Sequence, residues 1–258
     1  MKKTIEESVV TAMDGADSNL FPYLPYILQD LWEIGSSPEV IIELIRKHTN
    51  DYSSLKILDL GCGKGAVSIK IAKEFKCYCH GIDAMKEFIY EAQNKTKEYN
   101  VEEYCHFERG DIRTRISDLK DYNIIILGSI GPVFGDYYST LSTLSKCLKQ
   151  NGLIIIDDGY VEDGNNYSHP VMEQRSMILK QISDVGMKLV DEVIFNHDEI
   201  KESDDYIFEN IKRRCQELII KHPDESSLFI NYIKKQEEEN EVLETKVICS
   251  TMLIGKVI

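Results

Sequence analysis

Three aspartates and a glycine loop together have the chemistry to hold a nucleotide-like ligand. An apolar run leads into Asp59, and Asp83 and Asp111 follow the next two apolar runs. The loop at 61–65 has glycine at every second position and precedes a predicted helix. Glycine takes positive φ and lacks a Cβ, so a ligand can approach this backbone closely. Because ligands of α/β sheets bind at the carboxyl ends of the strands, the aspartates are predicted to meet there.

The type of ligand depends on Asp59. Gly61, Gly63 and Ala66 satisfy the G-x-G-x-x-G/A spacing of dinucleotide-binding loops, a pattern that also occurs in plain turns. A carboxylate two residues before the first glycine would repel a pyrophosphate, whereas it can pair with an ammonium group. S-adenosylmethionine carries an amino-acid ammonium and no phosphate. Asp59 therefore favours S-adenosylmethionine over a dinucleotide.

The other two aspartates fit an adenosine group. Asp83 ends the second predicted strand, where a carboxylate can accept both ribose hydroxyls. That position suits a nicotinamide dinucleotide as well as S-adenosylmethionine, so it does not discriminate between them. Asp111 follows the third strand, where its carboxylate can accept the exocyclic amine of an adenine. The alternative is that Asp111 only caps the next helix.

Four segments of the chain resemble the motifs of one enzyme family. LDLGCGKG (58–65), GIDAM (81–85) and RGDI (109–112) resemble the first three motifs of class I S-adenosylmethionine-dependent methyltransferases. Residues 148–156 resemble the segment that enters the family's fifth strand, although glutamine and asparagine replace its usual turn residues. The resemblance covers residues 55–195 and the last strand, and it implies the family's fold and cofactor.

The resemblance also implies which residues contact S-adenosylmethionine. Asp59 and the glycine loop would hold the methionine end, and Asp83 would bind the ribose. Asp111 would bind the adenine amine, and the end of the fourth strand would border the sulfonium. The implied cofactor-binding residues are Asp59, Gly61, Cys62, Gly63, Asp83, Ala84, Met85, Asp111, Ile112, Leu127 and Gly128.

The methyl acceptor is predicted to be a small molecule. Residues 127–135 lack the Asn/Asp-Pro-Pro-aromatic motif of methyltransferases that modify amino groups of nucleic acids. They resemble instead the small-molecule, quinone-biosynthesis-like branch of the family. The formal net charge of −14 also disfavours nucleic-acid and anionic membrane partners, which attract basic surfaces. The oligomeric state is not predicted.

Catalytic groups are only weakly indicated. Direct displacement (SN2) at an activated methyl group needs chiefly an aligned acceptor and the exclusion of water. His169 is a candidate base for an acceptor that must lose a proton, and Tyr160 and Tyr167 are candidate substrate contacts. The alternative for His169 is an ordinary surface position. Asp157 and Asp158 resemble the fifth-strand acidic pair that binds magnesium in some catechol-type methyltransferases. Those enzymes also have an aspartate after the fourth strand, where this chain has residues 127–129 without a carboxylate, so no metal is predicted.

The order of apolar runs indicates an α/β fold. Strands and helices alternate from residue 56 to residue 195, which predicts a doubly wound, mostly parallel, seven-stranded sheet of Rossmann-like type. The last strand, at 246–258, is predicted to run antiparallel. Residues 1–19 are predicted to be a polar lead, and two of the helices are expected near 136–149 and near 170–185.

Three regions are predicted along the chain. Residues 1–50 form an N-terminal helical lead or lid, and residues 51–196 with 242–258 form the methyltransferase core. Residues 197–241 form a helical insert, which is either a cap over the substrate or a structural hairpin.

Location and rival functions follow from simpler features. The chain has no apolar leader and no run of the roughly 18 apolar residues that span a membrane, so a cytoplasmic location is expected. The glycine spacing leaves an NAD-dependent oxidoreductase as one rival function. A non-catalytic S-adenosylmethionine-binding protein and a protein-methylating enzyme are the others.

Overall fold

The computed structural model describes residues 3–257, and its centre is one seven-stranded sheet. The strands are β1 (Lys56–Leu60), β2 (Tyr78–Asp83), β3 (Cys105–Arg109), β4 (Tyr122–Gly128), β5 (Leu148–Tyr160), β6 (Met187–Ile194) and β7 (Ile248–Lys256). Their order across the sheet is β3-β2-β1-β4-β5-β7-β6. Strands β1 to β5 pair in parallel, and β7 is antiparallel to both β5 and β6. The predicted sheet, with its antiparallel last strand, is confirmed.

Ten α-helices and four short 3-10 helices surround this sheet within the described residues. The α-helices are α1 (Ile5–Ala12), α2 (Leu24–Ile27), α3 (Pro38–His48), α4 (Ala66–Phe75), α5 (Lys86–Tyr99), α6 (Ile112–Arg115), α7 (Tyr137–Leu144), α8 (Arg175–Asp184), α9 (His197–Lys221) and α10 (Ser226–Thr245). The 3-10 helices are Ser18–Tyr23, Tyr52–Ser54, Ile116–Asp118 and Pro223–Glu225.

Two apolar clusters cover the two faces of the sheet. One contains Leu141 and Ile178 from α7 and α8, and the other contains Ile41 and Ile69 from α3 and α4. The central strands are apolar on both faces because helices bury them from both sides, as in other parallel sheets. This double covering fixes the strand ends that carry the candidate site.

A third apolar cluster lies apart from the sheet and joins the two ends of the chain. Its N-terminal members include Leu24 and Leu28, and its later members include Ile211 of α9 and Phe229 of α10. Ion pairs reinforce the contact, since Arg214 Nη2 donates to Asp30 Oδ1 at 2.8 Å. The N-terminal segment and the α9–α10 hairpin therefore pack on each other.

Helix α7 is shorter than the predicted helix near 136–149. It ends at Leu144, and β5 already begins at Leu148. The Tyr122 N–H donates to the Cys147 carbonyl at 3.0 Å, and Tyr122 pairs with Leu148. The backbone of this segment therefore bonds to β4, which ends the helix about five residues before the predicted end at 149.

The helix predicted near 170–185 begins later, and the polar lead is partly helical. Val161 N–H donates to the Glu173 carbonyl at 2.9 Å, so the chain before α8 pairs with the end of β5. In the lead, Thr4 and Glu7 cap α1 reciprocally, and Val10 is buried. This capping box stabilises a helix that polar composition alone did not indicate. Residues 1, 2 and 258, which the predicted lead and last strand include, lie outside the described range.

Among the described residues, no helix combines the length and the apolar character that crossing a membrane requires.

Candidate functional site

The carboxyl ends of β1, β4 and β5 open into a cavity of about 2210 Å³. The N-terminal segment and the α9–α10 hairpin also line it. Nine predicted site residues lie on its wall, namely Asp59, Gly61, Cys62, Gly63, Asp111, Leu127, Gly128, Tyr167 and His169. Five do not line it, namely Asp83, Ala84, Met85, Ile112 and Tyr160.

Asp59 is a buried carboxyl at the end of β1. Asp59 is only 3% exposed, and Ser68 Oγ of α4 donates to its Oδ2 at 2.7 Å. Burial raises the pKa of Asp59 to about 6, and the nearby Asp83 adds to the rise, while the Ser68 bond opposes it. A cationic group entering the cavity would therefore stabilise the ionised form of this carboxyl.

The glycine loop turns tightly between β1 and α4. Gly61 has φ of +74° and Gly63 has φ of +51°, a region that side chains rarely adopt. A Cβ on Gly61 would lie 2.6 Å from Ile130 Cγ2, so a side chain does not fit there. A Cβ on Gly63 would meet nothing within 4 Å, so the loop backbone is open to the cavity at that residue.

Asp83 holds the glycine loop from the end of β2. Its Oδ2 accepts the Gly63 N–H at 3.0 Å, and its Oδ1 accepts the Met85 N–H at 2.8 Å. Burial raises the pKa of Asp83, and these backbone bonds oppose the rise. A carboxylate has about four lone-pair sites, so both oxygens can still accept a ligand hydroxyl. Asp83 therefore shapes the loop, whichever ligand it also binds.

Asp111 lines the cavity and already has partners. Its Oδ1 accepts the Arg113 N–H at 2.9 Å and caps α6. The Arg113 guanidinium donates to both of its oxygens at 2.9 Å. These bonds lower the pKa of Asp111. The capping alternative is present in the structure, and the adenine contact stays a prediction.

The apolar residues predicted around the adenine lie behind the cavity wall. Met85 is 1% exposed and belongs to the third apolar cluster, and Ile112 belongs to the cluster under α7 and α8. Gly128 is at the wall, where a Cβ would stand 2.5 Å from Ser36 Oγ. A glycine is therefore required there for the segment before α3 to approach β4.

Tyr160 is not at the cavity edge where it was predicted. Strand β5 continues through Tyr160, which is 3% exposed within an apolar cluster, with Arg175 over its ring at 5.9 Å. The extra length of β5 places this side chain in the core. In this structure Tyr160 does not reach a molecule bound in the cavity.

His169 lines the cavity, but its basic nitrogen is occupied. Its Nδ1 accepts the N–H groups of Met172 at 2.9 Å and Val171 at 3.3 Å. A neutral imidazole that accepts at Nδ1 carries its proton on Nε2, so no free basic nitrogen faces the cavity. Tyr167 lies beside it, with ring centroids 6.2 Å apart. His169 therefore stabilises the turn that follows it, through the two backbone N–H groups that its Nδ1 accepts.

Lys64, within the glycine loop, is a functional position that the sequence did not single out. It is 2% exposed, and its Nζ donates to the Leu28 carbonyl at 2.8 Å and lies 3.0 Å from Glu91 Oε2. Trp32 Nε1 donates to the Lys64 carbonyl at 3.1 Å. These bonds attach the N-terminal segment to the loop. A buried lysine and an exposed one look alike in sequence, and only the aromatic stretch around Trp32 was a signal.

Five carboxyl groups, which we call the acidic group, also line the cavity. They are Asp14, Asp157, Asp158, Asp204 and Glu239. Burial raises the pKa of Asp14 and of Asp157 to about 7, and that of Asp158 and of Asp204 to about 6. Neighbouring carboxyls of the group add to each rise, because like charges repel. Asp14 is exposed to solvent, so water screens its charge and limits the rise of its pKa.

A second cluster of polar side chains lies outside the cavity, on β2 and β3. His80, His106 and Glu108 bring potential ligand atoms within 4.8 Å of one another. Arg115 Nη2 donates to Glu108 Oε1 at 2.9 Å, so an ion would compete with that guanidinium. The absence of a metal stays a prediction.

Comparisons with known proteins agree on one family. Residues 51–211 match the family model described as a methyltransferase domain. The ubiquinone biosynthesis O-methyltransferase of Rickettsia akari is 34% identical over 119 residues, which is 46% of each chain. The ribosomal protein L11 methyltransferase of Dictyoglomus thermophilum is 26% identical over 159 residues, 61% of this chain and 46% of that one. This chain therefore spans about half of the length of these relatives.

A solved structure has the same fold over nearly its full length. It is the SAM-dependent methyltransferase from Geobacter sulfurreducens in complex with S-adenosyl-L-homocysteine. The TM-score is 0.75 with 16% sequence identity, and the match covers 90% of this chain and 97% of that one. Since the family model covers more than half of the sequence, the chain belongs to the methyltransferase domain family.

Proposed function

We propose that this chain transfers a methyl group from S-adenosylmethionine to a small-molecule acceptor. One observation carries the proposal. The buried carboxyl of Asp59 and the open backbone of Gly63 face the same cavity as Asp111 and Gly128, inside the region that matches the family. The Geobacter protein of the same fold is described with S-adenosylhomocysteine, which supports the choice of ligand.

The residues on the cavity wall fit this ligand. Asp59 offers a buried carboxyl for an ammonium, and Gly63 leaves room for a ligand against the loop. Asp111 on the wall offers an acceptor for an amine group, and Asp83, which lies behind the wall at the end of β2, offers one for hydroxyl groups. When bound, S-adenosylmethionine supplies a methyl group already activated on a sulfonium. The chain's own part is to hold it, orient the acceptor and exclude water.

Three rival functions are weaker. An NAD-dependent oxidoreductase would place a pyrophosphate near Asp59, and charge repulsion disfavours that arrangement. A protein acceptor has some support, because the Dictyoglomus relative is named for a ribosomal protein. The Rickettsia relative is named for ubiquinone biosynthesis, which supports a small acceptor. A non-catalytic binding protein differs only in lacking any acceptor, and an acceptor screen by mass spectrometry distinguishes it.

The proposed setting is the cytoplasm, with no nucleic-acid or membrane partner. All seven cysteines are unpaired, which suits a reducing compartment. The net charge of −14 supports the absence of anionic partners.

Titration calorimetry with S-adenosylmethionine, S-adenosylhomocysteine and NAD tests the cofactor. We expect the first two to bind and NAD not to bind. In Asp83→Asn, the amide NH₂ would face one of the two loop N–H groups, so affinity for S-adenosylhomocysteine should fall by about 1–3 kcal/mol. Asp163→Asn is a matched control, because Asp163 accepts a backbone N–H from Ser176 away from the loop. Tight NAD binding without S-adenosylmethionine binding would refute the proposal, and unchanged affinity in Asp83→Asn would remove that residue from the site.

A further inference from the structure

The acidic group marks a part of the cavity that the proposed cofactor contacts do not explain. Asp14 follows α1, Asp157 and Asp158 lie on β5, Asp204 is in α9 and Glu239 is in α10. Four separate parts of the chain thus direct carboxyl groups into one space. Clustered carboxyls repel one another, so an arrangement of this kind is unfavourable unless something positive is bound there.

The basic side chains on the cavity wall already have other partners. Lys64 bonds to Leu28 and Glu91, and Arg113 bonds to both oxygens of Asp111. Lys235 Nζ donates to Glu238 Oε2 at 2.6 Å. Lys3 Nζ donates to Thr11 Oγ1 at 3.1 Å. Lys235 also lies near Glu239, and Lys201 lies near Asp204, but among the described residues no lysine or arginine forms an ion pair with a carboxyl of the acidic group.

Asp157 provides an independent sign of a missing partner. The residue is 6% exposed and lines the cavity, and its Oδ2 has no partner within hydrogen-bond distance and angle, although the Ser36 hydroxyl and the Ser37 N–H lie close enough to lower the pKa of Asp157. Asp204 Oδ2 is likewise buried and without a partner. A buried acceptor with no donor costs about 1–3 kcal/mol and is uncommon in native proteins. A donor group on a ligand in the cavity would remove that cost.

The position of Asp157 relates the acidic group to the proposed reaction. Gly128, the residue predicted to border the sulfonium, pairs in register with Asp157, and the Ser129 N–H donates to the Asp157 carbonyl at 3.0 Å. A molecule held by Asp157 would therefore lie beside the predicted place of the methyl group. The acceptor and the acidic group share this part of the cavity.

We propose that the methyl acceptor is a cationic amine, held with its ammonium group against the acidic group. This inference rests on the proposed methyltransferase function and names the acceptor class for the same site. An ammonium supplies three N–H donors and a positive charge, which match a group of carboxyls that includes two oxygens without a hydrogen-bond partner. The Rickettsia relative is named as an O-methyltransferase, so the acceptor atom proposed here differs from the one in that name.

The proposed reaction consists of a proton transfer followed by methyl transfer. The bound ammonium gives one proton to a carboxylate of the acidic group, and its freed lone pair attacks the methyl carbon. The nitrogen–carbon bond forms while the sulfur–carbon bond breaks, and the bonding pair stays on sulfur, which becomes a neutral thioether. The amine ends as a methylated ammonium, and the carboxylic acid later releases its proton to water. Carboxyls whose pKa lies near 6 or 7 suit this exchange near neutral pH.

Binding measurements with three molecules of equal chain length test the charge requirement. Putrescine is the cationic probe, butanediol the neutral one and succinate the anionic one, each titrated into the chain saturated with S-adenosylhomocysteine. We expect putrescine to bind, butanediol and succinate to bind at least about tenfold more weakly, and added salt to weaken putrescine. Mass spectrometry should then show methylated putrescine when S-adenosylmethionine is supplied.

Variants locate the binding within the acidic group. Asp157→Asn and the double variant with Asp204→Asn should weaken putrescine about tenfold or more, while S-adenosylhomocysteine affinity stays the same. Asp224→Asn removes the same charge from an exposed residue outside the cavity and should leave putrescine binding unchanged.

Three results would overturn the inference. They are equal binding of butanediol, equal weakening by Asp224→Asn, and tight calcium binding without putrescine binding. Retained S-adenosylhomocysteine affinity would show in each case that the proposed cofactor function stands. Loss of S-adenosylhomocysteine binding by the unmodified chain would instead refute the proposed function itself.

Discussion

At the glycine-loop end of the cavity the polar groups bond to one another, whereas in the acidic group two carboxyl oxygens have no partner. Asp83 accepts two backbone N–H groups of the loop region, and Asp59 accepts the hydroxyl of Ser68. By contrast, Asp157 Oδ2 and Asp204 Oδ2 are buried without a donor. The two regions belong to the same cavity, with Asp83 just behind its wall, and they differ in whether their buried oxygens have hydrogen-bond partners.

The difference indicates two separate tasks. Groups that are bonded within the protein hold a backbone shape, and a ligand adds to bonds that already exist. Groups without partners are unfavourable in the free protein and become favourable only when a ligand completes them. The glycine loop therefore should tolerate an empty cavity well, while the acidic group should be a source of instability until a ligand binds.

The largest predicted effect is a loss of stability when Lys64, at the glycine-loop end of the cavity, is replaced. Lys64→Met keeps the length of the side chain but removes the buried ammonium that donates to the Leu28 carbonyl and pairs with Glu91, while that carbonyl keeps the Leu31 N–H at 3.1 Å. We expect the free energy of unfolding to fall by about 2 kcal/mol, because a buried hydrogen bond from a charged donor is lost. Urea denaturation measures the change.

Lys95→Met is the control for Lys64→Met. Lys95 Nζ pairs with Glu98 Oε2 at 2.7 Å, which contributes less than about 1 kcal/mol, and it also lies 5.4 Å from the centre of the Trp32 ring, so this control removes a contact to the N-terminal segment without removing a buried hydrogen bond. Equal stability of the two variants would show that Lys64 does not attach the N-terminal segment to the loop. The glycine-loop end would then not be held by these internal bonds, and it would no longer differ from the acidic group in that respect.

The next prediction concerns Asp157 of the acidic group, and here the substitution is expected to raise the free energy of unfolding and not to lower it. The folded-state pKa of Asp157 is about 7, above the ordinary value of 3.8, so the folded chain binds more protons between these values. Stability therefore falls as pH rises through this range. Asp157→Asn removes that cost, and its advantage over the native chain should grow by about 2 kcal/mol between about pH 5 and pH 8. Urea denaturation at the two pH values measures the growth.

Asp191→Asn is the matched control of opposite sign. Lys47 and His48 hold the pKa of Asp191 at about 2, so its charge stabilises the fold above the ordinary value of 3.8. This variant should lose roughly 0.5–1 kcal/mol at neutral pH, as expected for a partly exposed ion pair, and recover as pH falls below about 4. If Asp157→Asn behaved like Asp191→Asn, the carboxyl at 157 would be satisfied, and the acidic group would not require a ligand.

The glycine-loop end of the cavity could be predicted from sequence because its residues lie on consecutive strands of the chain. The loop at 61–65, Asp59, Asp83 and Asp111 lie at the ends of three strands that are consecutive along the chain and neighbours in the sheet. Glycine spacing and carboxyl position at strand ends are enough to recover that arrangement. The mostly parallel sheet follows from the alternation of strands and helices, whereas the order of the strands across the sheet was not predicted.

The acidic group could not be predicted, because its members meet only through packing. Asp14 and Asp204 are far apart in sequence and come together when the third apolar cluster joins the N-terminal segment to α9 and α10. Tyr160 shows the same limit on a smaller scale. An unexpectedly long β5 moved it from the predicted cavity edge into the core.

The smallest predicted effect is at Gly63, which we compare with Gly186 because both residues have a positive φ. Gly63 has φ of +51° and Gly186 has φ of +76°, and a Cβ at either would meet nothing within 4 Å. Replacing each by alanine should lower the free energy of unfolding by about 1 kcal/mol, because the left-handed conformation disfavours a side chain. Only Gly63 lines the cavity, so only Gly63→Ala should also weaken S-adenosylhomocysteine, by about tenfold, as its methyl group fills space that the ligand approaches. Calorimetry of both variants separates backbone strain from ligand contact, and equal affinities would mean that the loop positions Asp83 and Asp59 without touching the ligand itself.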